Sequence, residues 1–390
     1  MTTMMRSNER MMTTHAGALP RPEDFRRMVV GPDRMVRIET AEQQARLQSA
    51  VAEVVRHQAE IGLDSVNDGE LSKTSFNTYL TDRIAGYELR DMAPGETSAR
   101  LTRLTMINRD ARKFPDYFAG RRNFATPGGK LAVCVEPLRY IGAAQLERDI
   151  ANFKAALQGV AVAEAFLPAN TPGTMEHWLR NDYYKTDEEL VFALADLLHI
   201  EYKAITDAGL TLQIDNPDLP DCWGIFPDMT VPEFRKYAGM RAEALKHALK
   251  GIPREQTRLH VCWGSFHGPH HDDIPLTEII DLIFAIPAAS YSLEASNPRH
   301  EHEWRLFETV KLPEGATFVP GVVGHATDFI EHPDLVADRI ERYAKLMGRE
   351  NVIAGTDCGL GPRVGDPLIA WAKLETLVEG ARRATRRLWP

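Results

Sequence analysis

Cysteine is scarce in this sequence, and its spacing excludes a fold held together by disulfides. Four cysteines occur in 390 residues, at positions 134, 222, 262 and 358, and no two of them are close in the chain. This spacing matches no framework of the small disulfide-rich domains. We therefore expect a reducing, cytoplasmic environment in which the thiols stay free.

Long apolar runs and basic clusters are missing as well. No stretch approaches the ~18 apolar residues of a membrane helix, and the opening segment MTTMMRSNERMM lacks the apolar core of a signal peptide. The 46 basic and 55 acidic side chains leave a net charge of −9 without any Lys/Arg-rich run. We expect no membrane and no nucleic-acid partner, and a disordered tail over residues 1–12.

What is present is an ordinary globular composition, 44% hydrophobic and 26% charged. Short apolar runs alternate with helical patterns, which is typical of a parallel sheet covered by helices. The candidate strands are 13–19, 63–69, 131–137, 162–170, 210–218, 259–265, 290–296, 316–324 and 351–357. A (β/α)8 barrel needs one strand fewer, and 131–137 is assigned to an accessory hairpin because no clear helix separates it from its neighbours. We predict the α/β class, with a single (β/α)8 TIM barrel over residues 13–390.

Two long helices are predicted from capping boxes at their starts. Thr40 pairs with Gln43, and Thr186 pairs with Glu189. The apolar residues that follow recur on one face of each helix, which indicates packing against the sheet.

Residues 85–130 break the alternation and are rich in Arg, Asp, Pro and Gly. A long irregular segment in a compact domain is more often functional than accidental. We interpret 85–130, together with the following strand up to 137, as an irregular insertion that acts as a lid over the barrel mouth. A plain surface excursion is the alternative.

Four residues in the second half of the chain have the pattern of one metal site. His260 and Cys262 are two apart in a short apolar run, so in a strand they point to the same face. Glu294 and Cys358 follow at the ends of later apolar runs. Side chains at the ends of successive strands meet in a parallel barrel, and His, Cys and carboxylate ligands suit zinc. The alternative is ordinary core packing, since a buried Cys usually behaves as a small apolar side chain.

Six segments carry a family resemblance: TTHAGALPRP, VNDGELSK, LQIDNPDLPD, HVCWGSFHGPHHDDIPL, EASNPRHEHEW and NVIAGTDCGLG. They resemble the catalytic barrel of cobalamin-independent methionine synthase, and more closely its short single-barrel relatives. Those relatives include proteins similar to epoxyalkane:coenzyme M transferase. The resemblance runs from residue 13 to the end of the chain.

The resemblance implies that His260, Cys262, Glu294 and Cys358 bind Zn²⁺. Coordination to zinc deprotonates a thiol and presents it as a nucleophile at neutral pH. The implied reaction is methyl transfer to homocysteine or a similar aminothiol from a methyltetrahydrofolate-like donor. A methylated corrinoid protein is an alternative donor, and a homodimer is plausible.

The resemblance also implies a site for the amino acid part of the substrate. Glu70 and Asp215 would hold its amino group, and His15 with the backbone of Ala16 to Ala18 would bind its carboxylate. Two carboxylates at separate strand ends suit an ammonium group. The alternatives are an Asx-turn at Asp215 and a helix N-terminal acid at Glu70.

Three further positions compare with the family pattern. Trp178 in NTPGTMEHW resembles the tryptophan that lies against the folate ring, with a core tryptophan as the alternative. His325 in GVVGHATDF is one position away from the family's catalytic histidine, so it is either a general acid in a loop or unrelated. The family has serine where this chain has Ala18, which removes one hydroxyl from the carboxylate site.

Three other functions stay open from the sequence. Opening of an epoxide by coenzyme M on the same zinc would require cations for the sulfonate, and Arg21, Arg299 and Arg363 are the candidates. A metal-free decarboxylase-like barrel would need an Arg-rich mouth, against which the HxC and TDCG patterns argue. A non-catalytic zinc-binding barrel would close the metal with four protein ligands.

Overall fold

A computed structural model describes residues 5–32, 35–75, 79–91, 109–119, 130–265, 267–361 and 364–390. The strands in these residues are β1 (Met12–Thr13), β2 (Ser65–Val66), β3 (Ile84–Arg90), β4 (Leu131–Tyr140), β5 (Glu164–Ala169), β6 (Leu179–Asn181), β7 (Thr211–Asp215), β8 (Thr257–Val261), β9 (Ser290–Glu294), β10 (Thr317–Val323) and β11 (Ile353–Thr356). The α-helices are α1 (Glu23–Val29), α2 (Ala41–Ile61), α3 (Arg109–Lys113), α4 (Pro115–Phe118), α5 (Ala143–Ala156), α6 (Pro172–Glu176), α7 (Asp187–Asp207), α8 (Asp218–Ile225), α9 (Val231–Ala248), α10 (Ile280–Phe284), α11 (Pro333–Met347) and α12 (Pro367–Leu388).

Eight strands of the described residues form one sheet in the order β1-β11-β10-β9-β8-β7-β5-β2, and every neighbouring pair in it is parallel. The two ends of this sheet, β1 and β2, approach each other at Asp64. Its backbone N–H donates to the Thr13 carbonyl at 3.2 Å, and its Oδ2 accepts from the Thr13 N–H at 2.8 Å. The side chain thus joins the seam of a nearly closed barrel. The predicted α/β class and (β/α)8 barrel are confirmed.

A second, three-stranded sheet contains β3, β4 and β6. Strand β4 pairs antiparallel with β3 and parallel with β6, so 131–137 lies outside the barrel, as predicted. The start of the predicted irregular insertion is instead regular strand β3, and β6 was not among the predicted strands. Residues 92–108 and 120–129 of the insertion lie outside the described residues.

The predicted disorder of residues 1–12 is wrong for residues 5–12. Met5 and Met11 are buried. Ser7 Oγ donates to the carbonyl of Val352 at 2.6 Å, and the Arg10 guanidinium donates to Asp64 at 2.9 Å. The polar side chains that suggested a tail therefore have partners at the bottom of the barrel, on chain segments distant in sequence. Residues 1–4 lie outside the described residues.

The helix starts follow the capping patterns. Thr40 Oγ1 accepts from the N–H of Gln43 at 3.2 Å, and Gln43 Oε1 accepts in return from the N–H of Thr40 at 3.0 Å. At the second helix Thr186 Oγ1 accepts from Glu189 at 3.1 Å, but Glu189 accepts from the N–H of Lys185 instead. No helix among the described residues has the length and apolarity required to span a bilayer.

Part of the barrel interior is occupied by polar side chains. Arg258 on β8 fills it below the strand ends, where its guanidinium lies 4.1 Å from the Phe166 ring centroid and donates to Thr14 at 2.7 Å and to Glu164 at 3.0 Å. Side chains two residues further along the strand reach the carboxyl-terminal end of the barrel. This is the end at which barrels of this type carry their sites.

Candidate active site at the barrel mouth

Three of the four predicted metal ligands meet at the carboxyl ends of the strands. His260 lies on β8, Cys262 is the first residue after that strand, and Cys358 is the second residue after β11. One ligand atom from each of these three side chains lies within 4.8 Å of the other two. His260 and Cys262 are two residues apart, whereas Cys358 follows them by nearly a hundred residues. The barrel therefore brings all three side chains together.

The bonding of His260 fits a metal ligand. The ring is 1% exposed, and its Nδ1 lies 3.0 Å from the hydroxyl of Ser292 on the neighbouring strand. Its Nε2 is buried and has no hydrogen-bond partner among the described residues. Buried ring nitrogens are almost always satisfied, and a ligating histidine characteristically bonds a neighbour through its other nitrogen. The donor set of one imidazole and two thiols suits zinc.

The two thiols differ in the direction of their pKa shifts. The adjacent Cys262 thiol, with His260 and His325, holds the pKa of the Cys358 thiol well below its usual value. The neighbouring Cys358 and burial raise the pKa of the Cys262 thiol far above its usual value. Ser265 also donates its hydroxyl hydrogen to Cys358 Sγ at 3.3 Å. Cys358 is therefore the thiol of the pair with the lower pKa.

The fourth predicted ligand, Glu294, lies next to this group but is not part of it. It ends β9, whose register with β8 pairs Leu293 with Val261. Its Oε1 accepts from the backbone N–H of Trp263 at 2.8 Å, and its Oε2 accepts from the Asn297 amide at 3.1 Å. Burial raises the pKa of the Glu294 carboxyl to about 8. Its role as a ligand stays a prediction.

Asp357 fixes the loop that follows Glu294, and the sequence reasoning did not single it out. Its Oδ1 accepts from the backbone N–H groups of Ala295 and Ser296 at 2.8 and 3.0 Å, and its Oδ2 accepts from the Ser296 hydroxyl at 2.6 Å. The residue directly before Cys358 thus joins the ends of β11 and β9. The Asp in the TDCG pattern was the available signal.

Glu70 and Asp215 converge on the same place. Both carboxyls are buried. Cys358 raises the pKa of both, Glu70 also raises the pKa of Asp215, and Asp68 also raises the pKa of Glu70. Burial is the main cause, and the pKa of Asp215 reaches about 8. Neither alternative role is found: no helix begins at Glu70, and Asp215 Oδ1 accepts from the side chain of Gln213 at 2.7 Å.

Lys73 is a cation of this site that the sequence reasoning missed. Its Nζ lies 3.8 Å from Glu70 Oε2, donates to the carbonyl of Pro168 at 2.6 Å and lies 4.5 Å from the Tyr79 ring centroid. The side chain is 7% exposed. The only indication in the sequence was that Lys73 follows Glu70 by three residues. That spacing indicates an ion pair only when both side chains are known to be buried together.

His15, which the resemblance implied as part of the carboxylate site, has partners within the chain for both ring nitrogens, and its role toward a carboxylate stays a prediction. Its Nε2 lies 2.8 Å from Gln58 Oε1, and its Nδ1 accepts from the backbone N–H of Gly17 at 3.3 Å. Burial lowers the pKa of His15 to about 4. A neutral imidazole with both nitrogens engaged orients the turn after β1 and does not offer a charge to a carboxylate.

The backbone of that turn is partly available. The N–H of Ala16 donates to Thr356 Oγ1 at 3.1 Å, and the Thr356 hydroxyl donates in turn to the carbonyl of Cys358 at 2.9 Å. Among the described residues the N–H of Ala18 has no hydrogen-bond partner, and Ala18 is half-buried. Ala18 is therefore the backbone donor of this turn that remains for a ligand.

His325 lies beside the group formed by His260, Cys262 and Cys358. It follows β10 by two residues, is 1% exposed and is one of the charges that lower the pKa of Cys358. The structure thus brings the histidine of GVVGHATDF to the site.

Trp178 lies between α6 and β6 and is half-buried. Its backbone N–H donates to the carbonyl of Met175 at 3.1 Å. Thr174, the threonine of the same pattern, donates its hydroxyl hydrogen to the buried carboxylate of Asp218 at 2.9 Å. The residue is thus partly exposed, although its indole Nε1 is buried.

The described part of the insertion packs on loops of the barrel mouth. The Arg109 guanidinium lies 3.3 Å from the Trp223 ring centroid and donates to the carbonyls of Trp223, Phe226 and Met229 at 2.8, 3.1 and 2.6 Å. These residues follow β7. The segment 109–119 is therefore anchored next to the strand that carries Asp215.

The same segment also contacts the loop after β8. Asp110 accepts from the backbone N–H groups of His271 and Asp272 at 3.2 and 3.0 Å. These three residues have ligand atoms close enough for a metal. Both Asp110 oxygens already accept hydrogen bonds from this loop, and the Lys113 ammonium lies 2.9 Å from the His271 ring. We therefore interpret these three residues as a contact that attaches the insertion to the loop, and not as a metal site.

Proteins with known functions resemble this chain over nearly its whole length. The methionine synthase of Thermococcus kodakarensis is 24% identical over 379 residues, which cover 96% of this chain and 94% of that protein. The methionine synthase of Saccharolobus solfataricus is 23% identical over 378 residues, covering 95% of this chain and 93% of that protein.

Solved structures share the fold. A B12-independent methionine synthase from Shewanella sp. W3-18-1 superposes with a TM-score of 0.72 at 20% identity, covering 97% of this chain and 99% of that chain. A putative vitamin-B12 independent methionine synthase from Listeria monocytogenes gives a TM-score of 0.63 at 16% identity, covering 96% and 98%. Residues 149–383 match the family described as the catalytic domain of cobalamin-independent synthase, and this chain belongs to that family.

Proposed function

We propose that this protein transfers a methyl group to the thiol of homocysteine, or of a similar aminothiol, at a zinc ion. The observation that carries the proposal is the group formed by His260, Cys262 and Cys358, with the carboxylates of Glu70 and Asp215 beside it. Membership of the cobalamin-independent synthase family supports methyl transfer to homocysteine.

His260, Cys262 and Cys358 would hold the zinc, with Glu294 as the fourth ligand. Zinc bound there supplies a Lewis acid that lowers the pKa of a substrate thiol, so that the sulfur is nucleophilic at neutral pH. Ser292 fixes the orientation of the His260 ring, and Asp357 fixes the loop after Glu294. These two residues keep the ligands in place without contacting the substrate.

The remainder of the substrate is recognised by charge. An α-ammonium group between Glu70 and Asp215 would stabilise the ionised form of both buried carboxyls. Lys73 and Arg21 are the cations that act on Glu70, and His260 and Arg258 act on Asp215. The N–H of Ala18 is the donor available to the α-carboxylate. An aminothiol has a group for each end of this site, whereas a thiol without an amine offers no donor to the two buried carboxyls.

The methyl donor we propose is methyltetrahydrofolate-like, with Trp178 against its ring system. As the methyl group moves from the donor nitrogen to the substrate sulfur, a carbon–sulfur bond forms, the carbon–nitrogen bond breaks, and the nitrogen takes up a proton. His325, buried beside Cys358, is the residue we propose as the source of that proton. A methylated corrinoid would need no proton at this step.

Coenzyme M is the less suitable thiol. Arg21 donates to the carbonyls of Leu71 and Lys73 and is thereby committed to the backbone. Arg299 is exposed on the surface, and Arg363 lies outside the described residues. The acidic side chains at positions 70 and 215 suit an ammonium group and not a sulfonate, so the amine-bearing thiol is favoured.

The test is the zinc content of the purified protein, followed by X-ray absorption at the zinc edge with and without homocysteine. We expect one zinc per chain and an additional sulfur ligand when homocysteine is added. A zinc whose ligands do not change with homocysteine would indicate a closed structural site. Metal-replete protein without zinc would overturn the proposal.

A further inference from the structure

Gln213 connects two parts of the proposed substrate site. It lies on β7, is fully buried, and its amide nitrogen donates to the carbonyl of Ala16 at 2.7 Å and to Asp215 Oδ1 at 2.7 Å. A carbonyl and a carboxylate only accept hydrogen bonds. The amide nitrogen must therefore face both of them, which fixes the orientation of the side chain.

The contact crosses the inside of the barrel. Ala16 follows β1, whereas Asp215 ends β7, and these strands are not neighbours in the sheet. No backbone ladder sets the distance between them. The two hydrogen bonds of Gln213 are thus a direct link between the turn that carries Ala18 and the carboxylate of Asp215.

The side chain of Gln213 makes no other hydrogen bond within the described residues, and its buried Oε1 has no partner there. An unsatisfied buried oxygen is destabilising, so the side chain is poorly explained as a stabilising core residue. It holds one oxygen of Asp215, while Oδ2 receives no hydrogen bond from the described residues. That leaves Oδ2 as the acceptor for a ligand.

We propose that Gln213 is the positioning residue that sets the separation between the ammonium-binding carboxylate of Asp215 and the carboxylate-binding backbone of Ala18. It thereby determines the preference for thiols that carry an α-amino acid group. This inference rests on the proposed function, because it needs an aminothiol as substrate.

The test compares two thiols on the full-length, zinc-loaded protein by titration calorimetry: homocysteine and 4-mercaptobutanoate, which lacks the amine. Gln213→Met keeps the shape and removes the donor. Gln213→Glu places an oxygen against two acceptors. The matched control is Gln256→Met, because Gln256 also donates to two carbonyls, those of Thr206 and Leu210 at 3.2 and 3.5 Å, but before β8 at the other end of the barrel.

We expect Gln213→Met and Gln213→Glu to weaken homocysteine binding by about 10–100-fold, the loss typical of a charged hydrogen bond. Binding of 4-mercaptobutanoate and the zinc content should stay near the values of the unmodified protein, and Gln256→Met should change neither thiol. A purely structural role would weaken both thiols equally.

Two outcomes separate the inference from the proposed function. If the unmodified protein binds the two thiols equally, the aminothiol site itself is wrong and this inference falls with it. If the unmodified protein prefers homocysteine and the Gln213 variants keep that preference, only the positioning role is overturned. If Gln213→Met does not fold, the isosteric variant Gln213→Glu tests the positioning role alone. Its zinc content then shows whether the barrel mouth is still folded.

Discussion

The carboxylate of Glu70 lies directly against the backbone of Gly17. A β-carbon at position 17 would be 2.6 Å from Glu70 Oε1, and Gly17 has a φ of +142°, which side chains rarely adopt. Glycine is therefore required here for two reasons, close approach and backbone conformation. The turn after β1 is therefore in direct contact with one acidic side chain of the proposed amine site.

We expect Gly17→Ala to displace Glu70 and to raise the KM for homocysteine by about 10-fold or more, since a hydrogen bond to a charged group contributes about 1.5–3 kcal/mol. Zinc content should be unchanged. The control is Gly159→Ala, because Gly159 also has a positive φ, +77°, but a β-carbon there meets open space. Equal changes in KM for both variants would show that backbone strain, and not Glu70, is responsible.

Ser292→Ala is expected to lower the affinity for zinc by about 10–100-fold, the usual effect of removing the outer partner of a ligating histidine. The hydroxyl of Ser292 lies 3.0 Å from Nδ1 of His260 and orients the ring. Competition with a chromogenic chelator measures the affinity. Ser290→Ala provides the control on the same strand, because the buried Ser290 hydroxyl has no partner among the described residues. If the two variants bind zinc equally well, Ser292 does not support a ligand.

Acid should destabilise the protein through His15. Burial lowers its pKa from 6.5 to about 4, so as the pH falls from 6.5 to 4 the unfolded chain takes up a proton and the folded chain does not. The free energy of unfolding then falls with pH, by about 3 kcal/mol for this group. Urea unfolding of His15→Gln at several pH values should show a flatter dependence over this range.

The control for the acid effect is His199→Gln. His199 is half-buried, with Nδ1 2.9 Å from the carbonyl of Ala248. We expect this variant to keep the pH dependence of the unmodified protein. An unaltered slope for His15→Gln would contradict the assignment of His15 as a neutral, buried ring.

Arg109→Ala should detach the segment 109–119 from the loop after β7. The lost contacts include three backbone acceptors and the Trp223 ring. We expect amide exchange in this segment to accelerate by about 10–100-fold, corresponding to about 1.5–3 kcal/mol. If the insertion is a lid, as we propose, the KM for the methyl donor rises as well.

Arg112→Ala is the matched variant for this measurement. Arg112 lies in the same short helix and pairs with Asp228 at 2.6 Å, but both side chains are exposed. Exposed ion pairs contribute little, so exchange should hardly change. Similar exchange in both variants would show that Arg109 does not anchor the segment.

Much of the fold was predictable because strand and helix signals are local. The apolar runs located the barrel strands, and the capping residue Thr40 located the start of α2. The errors have long-range causes. Residues 5–12 look like a tail because their polar side chains find partners only in the folded barrel, and β6 is a strand because β4 provides its edge.

The candidate site likewise depends partly on local sequence patterns and partly on long-range contacts. The spacing of His260 and Cys262 by itself determined that both side chains share a face, since a strand has a period of two. The sequence also assigned Cys358 to this site, but how close its thiol lies to the other two side chains was decided by the tertiary structure. That Glu294 accepts from Trp263 and that burial lowers the pKa of His15 were likewise decided only there. The physical reason is that ligand distance, burial and pKa depend on which strand ends the closed barrel brings together.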